Sequence, residues 1–158
     1  MKNRFDSVFL FVLLMIVVFG YALFGPRLRF GGGGGSAPTV AINGYRFAVE
    51  VMESPLSRSQ GLSGRASLGE GAGMLFLFDT PGKYGFWMKD MNFAIDIIWV
   101  SGDRIVGFEK NVQPEPGRPF SELRIYEPPG TVDKVLEVRA GTVERYGFSV
   151  GDAMVFAR

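Results

Sequence analysis

Gly73-Met-Leu-Phe-Leu-Phe78, Phe86-Trp-Met-Lys-Asp90 and Ile95-Asp-Ile-Ile-Trp-Val100 are the three runs that decide how this chain folds. Met74 to Phe78 is continuously apolar, short, and closed by glycine on one side and aspartate on the other, the pattern of a strand covered on both faces. Ile95 to Val100 is a second run of that kind with one carboxylate inside it. Between them, Gly85 to Lys89 taken as extended sends Trp87 and Lys89 to one face and Phe86 and Met88 to the other. A charge embedded in an apolar strand has to be paired, hydrogen-bonded or neutralised, so Lys89 and Asp96 are the residues that ask for a reason.

Outward from these runs the period stays close to two. Phe47, Val49 and Val51 alternate with Arg46, Ala48 and Glu50, which describes a strand with one buried face. Arg104 to Glu109, Lys134 to Ala140 and Ala153 to Ala157 add further extended segments, separated by Gly, Pro, Asp and Asn clusters. Two short helices interrupt them. Ser54-Pro55 places a capping hydroxyl before a proline at the first helical position, and the turn runs through Gln60 until Gly61 stops it. The other covers Thr142 to Tyr146 and is closed by Gly147. Pro114, Pro116, Pro119, Pro128 and Pro129 exclude central strands from Asn111 to Gly130, which reads as a long loop of the kind that often carries binding.

The amino-terminal side differs. Val8 to Gly25 is uncharged and apolar almost throughout, enough for a helix that just crosses a bilayer core at about 1.5 Å per residue. It is longer than a signal-peptide core of about 7–15 residues and ends in no small-x-small site, so an uncleaved anchor is expected over a cleaved signal. Lys2 and Arg4 before it are matched by Arg27 and Arg29 after it, so charge nearly ties on orientation. The short leading tail favours a cytoplasmic amino terminus with the domain on the extracytoplasmic side. Gly31 to Gly35, followed by Ser36, Ala37 and Pro38, forms a flexible tether without the strand and Gly-Lys-Ser/Thr context of a phosphate loop. The expected organisation is a tail over 1–7, an anchor over 8–25, a glycine-rich linker over 26–38 and a β domain over 39–158.

Composition narrows the chemistry. The 158 residues carry 17 Lys and Arg against 16 Asp and Glu, so nothing in the balance points to nucleic acid. There is no His and no Cys, which removes imidazole bases, thiolate nucleophiles, the Ser-His-Asp triad, disulfides and the commonest zinc ligands. No cofactor is implied. A metal held by Asp96, Glu137 and Asp152 would need another oxygen ligand, and no Asp-x-Asp-x-Asp-Gly loop supports it, so none is expected.

Gln60-Gly-Leu-Ser-Gly-Arg65, Gly73 to Phe78, Phe86 to Lys89, Asp96-Ile-Ile98, Val135-Leu-Glu-Val-Arg-Ala-Gly141 and Val150-Gly-Asp152, in this order over about Val40 to Phe156, resemble the DUF192 family, a domain of unknown function. The resemblance implies a compact β-sandwich or distorted barrel with short helices, often behind a signal peptide or anchor, and implies almost nothing about activity. Two departures stand out. Asp90-Met91 replaces the usual Asn-Thr, setting a carboxylate beside Lys89, and Ala94 replaces a proline before the next strand.

Five residues are candidates for a ligand site: Arg65, Trp87, Lys89, Asp96 and Glu137. Trp87 beside Lys89 makes a stacking platform for a sugar or aromatic ring, with core packing of Phe86 and Met88 and a rim role for the other two as the plain alternative. Asp96 shares a strand face with Ile98 and Val100, where Lys89, Arg65 or Arg139 would be charge partners and a neighbouring loop amide a simpler one. Glu137 shares a face with Arg139, which reads as a solvated face with a cross-strand charge pair. Arg58 and Arg65 flank the Gly-Leu-Ser-Gly turn, and Arg65 has the fork to take a carboxylate or phosphate. The function expected is a membrane-anchored extracytoplasmic binding or accessory module for a small or polymeric envelope ligand such as a glycan. The alternatives are a hydrolase of saccharide-type substrates through Asp96 and Glu137, if those carboxylates converge, and a protein-interaction domain using loop 111–130.

Overall fold

The computed structural model describes residues 36–158. The apolar segment 8–25, the tail before it and most of the linker lie outside the described residues, and among the described residues no helix is long and apolar enough to cross a membrane.

Asn43 and Gly44 both have positive φ, 48° and 84°, the signature of the two-residue turn that matches strand twist. They join β1 (Thr39–Ile42) to β2 (Tyr45–Met52) in an antiparallel hairpin closed by Ile42 opposite Tyr45. This hairpin extends the strand expected from Phe47 backwards and adds a partner for it. A Cβ at Gly44 would meet nothing within 4 Å, so Gly44→Ala tests backbone strain alone. It is expected to cost about 1–2 kcal/mol, seen as a lower urea midpoint at unchanged slope.

From β2 the chain crosses over to β3 (Ala72–Gly82), which lies parallel to it with Ala48 opposite Ala72 and Met52 opposite Phe76. The crossover carries α1 (Pro55–Gln60), where the Ser54 hydroxyl accepts from the Ser57 amide and the Ser57 hydroxyl accepts from the Ser54 amide, both at 3.1 Å. Gly61 ends α1, its N–H donating to the Ser57 carbonyl.

The remaining strands pair antiparallel: β3 with β6 (Val132–Arg139), β6 with β4 (Ile95–Ser101), β4 with β5 (Arg104–Val112) and β1 with β7 (Met154–Ala157). The order is β5-β4-β6-β3-β2-β1-β7, with α2 (Thr142–Tyr146) between β6 and β7. Its two outer strands meet. Arg104 bridges Ala153, Ile105 donates to the Asp152 carbonyl at 3.0 Å, and Gly151 donates back to Ile105 at 2.8 Å. One sheet therefore curls towards closure as a half-barrel, the distorted-barrel alternative rather than two sheets of a sandwich.

Curling separates two cores. Val40, Ile42, Phe47, Leu75, Ile98 and Leu136 fill the interior, joined by Val143 of α2 and Phe148. The outer face of β3, β6 and β4 carries Met74, Phe76, Ile97, Trp99 and Val135, and it is covered by irregular chain that brings in Leu62, Met88, Met91 and Tyr126. Both faces of β4 are buried from Ile95 to Val100. At about 25 cal/mol per Å² of apolar surface, this double burial is the main stabilising term of the region. Gly85 to Lys89 is not the strand that its alternation predicts. Only Phe86 pairs, exchanging backbone hydrogen bonds of 2.9 and 2.8 Å with Tyr126, because this segment serves as a lid on the outer core. Asn111 and Val112 of the expected loop 111–130 end β5, and from 113 to 130 the chain is irregular apart from that bridge and a 3-10 turn at Phe120–Glu122.

Candidate functional site

Asp96 and Glu137 lie on opposite faces of the sheet. Asp96 stands opposite Val138 in the β4–β6 register, and Glu137 stands opposite Ile97, so one carboxylate points to the barrel interior and the other to the outer core. The general acid/base pair needed for sugar hydrolysis is therefore not assembled.

Asp96 is fully buried and meets no cation among the described residues. Its Oδ1 accepts from the amides of Asn111 at 2.7 Å and Gly141 at 3.2 Å, and its Oδ2 accepts from Val143 at 2.9 Å. Asn111 sits at φ +53° where β5 shifts register against β4, and Val143 opens α2. The carboxylate thus pins a bulge and a helix start to one strand, and no side of it is open to a ligand. The arginines and the lysine available as partners are elsewhere.

Glu137 is 6% exposed, not on a solvated face, because β6 is an inner strand and the crossover covers it. No hydrogen bond from a described residue reaches its side chain, and burial alone pushes its carboxyl up from 4.5 to about 8. It forms part of the wall of a cleft of about 330 Å³ between α1, the turn after it, β3 and the chain from Tyr84 to Met91, within the usual range of small-ligand pockets. Aromatic rings form the walls. Phe78 and Tyr84 stack with centroids 3.7 Å apart, Phe86 packs edge-on against Phe76 at 5.0 Å, and Trp87 packs edge-on against Phe120 at 5.2 Å.

Of the candidate residues the cleft gathers Trp87 and Glu137. Arg65 makes a two-pronged ion pair with Glu50, which raises the guanidinium pKa and holds the Glu50 carboxyl below its usual value, hydrogen bonding first, with burial opposing and charge assisting. The Arg65 and Glu50 side chains are 36% and 52% exposed, so solvent screening limits the pair to about 0–1 kcal/mol. Lys89 is paired with Asp90 at 2.8 Å on the surface, the neutralisation that the Asp90 substitution implied. Asp90 has φ +55°, a left-handed conformation that Asp and Asn tolerate best, so this departure keeps the backbone role while changing the charge. Met91 adds an apolar group to the cleft.

Arg58, a flank of the turn, is also a cleft residue. Its Nη1 donates to the carbonyls of Glu53 and Leu77, and its guanidinium lies 4.9 Å from the Phe78 ring centre. Phe76, Phe78 and Tyr84 were not separable from core by pattern. The available signal was the aromatic density from Phe76 to Trp87, more than one strand face can bury.

A family model described as an uncharacterised ACR, DUF192, matches residues 38–156. The chain belongs to the DUF192 family. Among solved structures, a protein of unknown function from Novosphingobium aromaticivorans is 28% identical, with a TM-score of 0.67, covering 74% of this chain and 83% of its own. Another, from Sinorhizobium meliloti and described as a proposed transcription regulator, is 29% identical with a TM-score of 0.68, covering 79% of this chain and 98% of its own. No curated protein matches. The DUF192 domain thus comes with a fold and no assigned activity.

Proposed function

We propose that this DUF192 protein is a binding module, tethered to a membrane by residues 8–25 and displaying its domain on the extracytoplasmic side, with the aromatic cleft as its ligand site. The observation that carries this reading is Glu137: a buried carboxyl to which no described residue donates a hydrogen bond, in a cleft walled by rings. Keeping such a group costs stability, and a ligand that accepts its hydrogen bond recovers that cost. The apolar residues of loop 111–130 fit the same reading, since Phe120 is 54% exposed and leans on Trp87, extending the rim of the cleft.

The chain has two tryptophans, Trp87 in the cleft wall and Trp99 in the core beneath Phe86, so indole emission reports binding directly. The test is a fluorescence and thermal-shift screen of the full chain in detergent micelles against cell-wall sugars and small ring compounds. A ligand at 100 times its Kd is expected to add about 2.7 kcal/mol of stability. A flat response across the screen overturns the proposal for those classes.

A further inference from the structure

We infer that the cleft selects ring-bearing carboxylates, holding the ring against its aromatic wall and the anion between the Arg58 guanidinium and the Glu137 carboxyl; this rests on the reading of the cleft as a ligand site. Arg58 has five N–H donors, and its bonds to the carbonyls of Glu53 and Leu77 both come from Nη1. No carboxylate pairs with it among the described residues, unlike Arg65 and Lys89 on the adjoining turns, which face Glu50 and Asp90. The cleft therefore carries one cation without an internal counterion, the complement of a monoanion.

Glu137 would cancel that advantage if it were ionised, but its surroundings keep it neutral. The residues opposite it on β3 and β4 are Met74 and Ile97; of the two other titratable groups lining the cleft, Arg58 donates to the carbonyls of Glu53 and Leu77 and Tyr84 turns its hydroxyl to the Thr80 carbonyl. Arg139, two residues along β6, opens onto a separate cleft with Glu70 and Arg145. With a carboxyl pushed up to about 8, Glu137 at neutral pH is an O–H donor, and an O–H donated to a carboxylate is among the strongest neutral-to-ion hydrogen bonds. Ring and anion are recognised at separate points, so aromatic acids and uronic acids share the required chemistry.

The test titrates the full chain in micelles with phenylacetate and D-glucuronate, each beside its neutral counterpart, 2-phenylethanol and methyl glucoside, at pH 6 and pH 9. At least one acid is expected to bind tenfold or more tighter than its counterpart at pH 6 and to lose tenfold or more at pH 9. Arg58→Gln should abolish the preference, and Arg58→Lys, which keeps charge but not the planar fork, should retain only part of it. Glu137→Gln, whose amide still donates, should remove the pH dependence. Circular dichroism and Tm confirm folding of each variant. Equal affinity for acid and neutral compound, an undiminished preference in both Arg58 variants, or an affinity independent of pH overturns the inference. Binding of a neutral compound alone overturns it while leaving the binding module intact, and silence from every compound overturns the inference, with the binding module then decided by the wider screen.

Discussion

Asp96→Ala is expected to lower the stability of the domain by about 3–5 kcal/mol, read as a fall in urea midpoint at unchanged slope. Three backbone amides, those of Asn111, Gly141 and Val143, point at this one buried carboxylate. Each loses a charge-assisted acceptor in the variant, and a buried amide left unpaired costs about 1–3 kcal/mol. Asp96→Asn keeps the shape but has one acceptor oxygen for donors that use both Oδ1 and Oδ2, and it should fall between wild type and Asp96→Ala. The damage should be local before it is global, with hydrogen exchange rising first at Asn111 and along α2. A loss under about 1 kcal/mol would mean that water serves these amides, and the view of Asp96 as a structural hub would be abandoned.

Glu137→Gln should move stability in the opposite direction, and only above acid pH. In the unfolded chain this carboxyl titrates near 4.5, and in the folded domain near 8. Between those values the folded protein holds one more proton than the unfolded one, so raising the pH favours unfolding. The relative stability is complete below about pH 4.5, declines by up to about 1.4 kcal/mol per pH unit through the window, and is constant above about 8. Subtracting the Glu137→Gln profile from that of wild type isolates this contribution from Glu50, whose lowered pKa gives stability that is lost on acidification through its folded value. The variant should overtake wild type on the alkaline side. Parallel profiles would show that Glu137 is ionised at neutral pH, and the neutral donor assigned to the cleft would go with it.

The helices were legible to the residue because their signals are local: a serine cap before Pro55, glycines after Gln60 and Tyr146. Strand β4 was equally plain, since an apolar run of that length has few alternatives, whereas the run Met74 to Phe78 marks only the middle of β3, which extends from Ala72 to Gly82. Asn43-Gly44 carries the turn signal of the first hairpin, a shorter signal than the alternation that follows it. What the pattern did not hold was partnership between distant segments. The parallel pairing of β2 and β3 cannot be read from either strand, yet it lays α1 over the outer face of the sheet. That is why Glu137, which alternates with Leu136 and Val138 like any solvated residue, is buried, and why Arg58 meets Trp87 in the same cleft. Asp96 was legible as a buried carboxylate in need of partners, and of the two kinds expected the loop amides hold it, from Asn111, Gly141 and Val143, while the arginines and the lysine stay away.

The meeting of the first and last strands governs the order in which the domain can be made. β1 needs β7 to fill its open side, with Val40 facing Phe156 across the pair, and Ile105 of the opposite edge waits for Gly151 and Asp152. A chain still emerging from a ribosome can form the β4–β5 hairpin, but its barrel stays open until residues 151–157 arrive. Contacts of such long sequence separation place folding on the slow, millisecond-to-second side of small domains, roughly as for other barrels. Removing β7 therefore exposes the interior at two edges at once, so truncation at this end should behave as loss of the fold rather than loss of a strand.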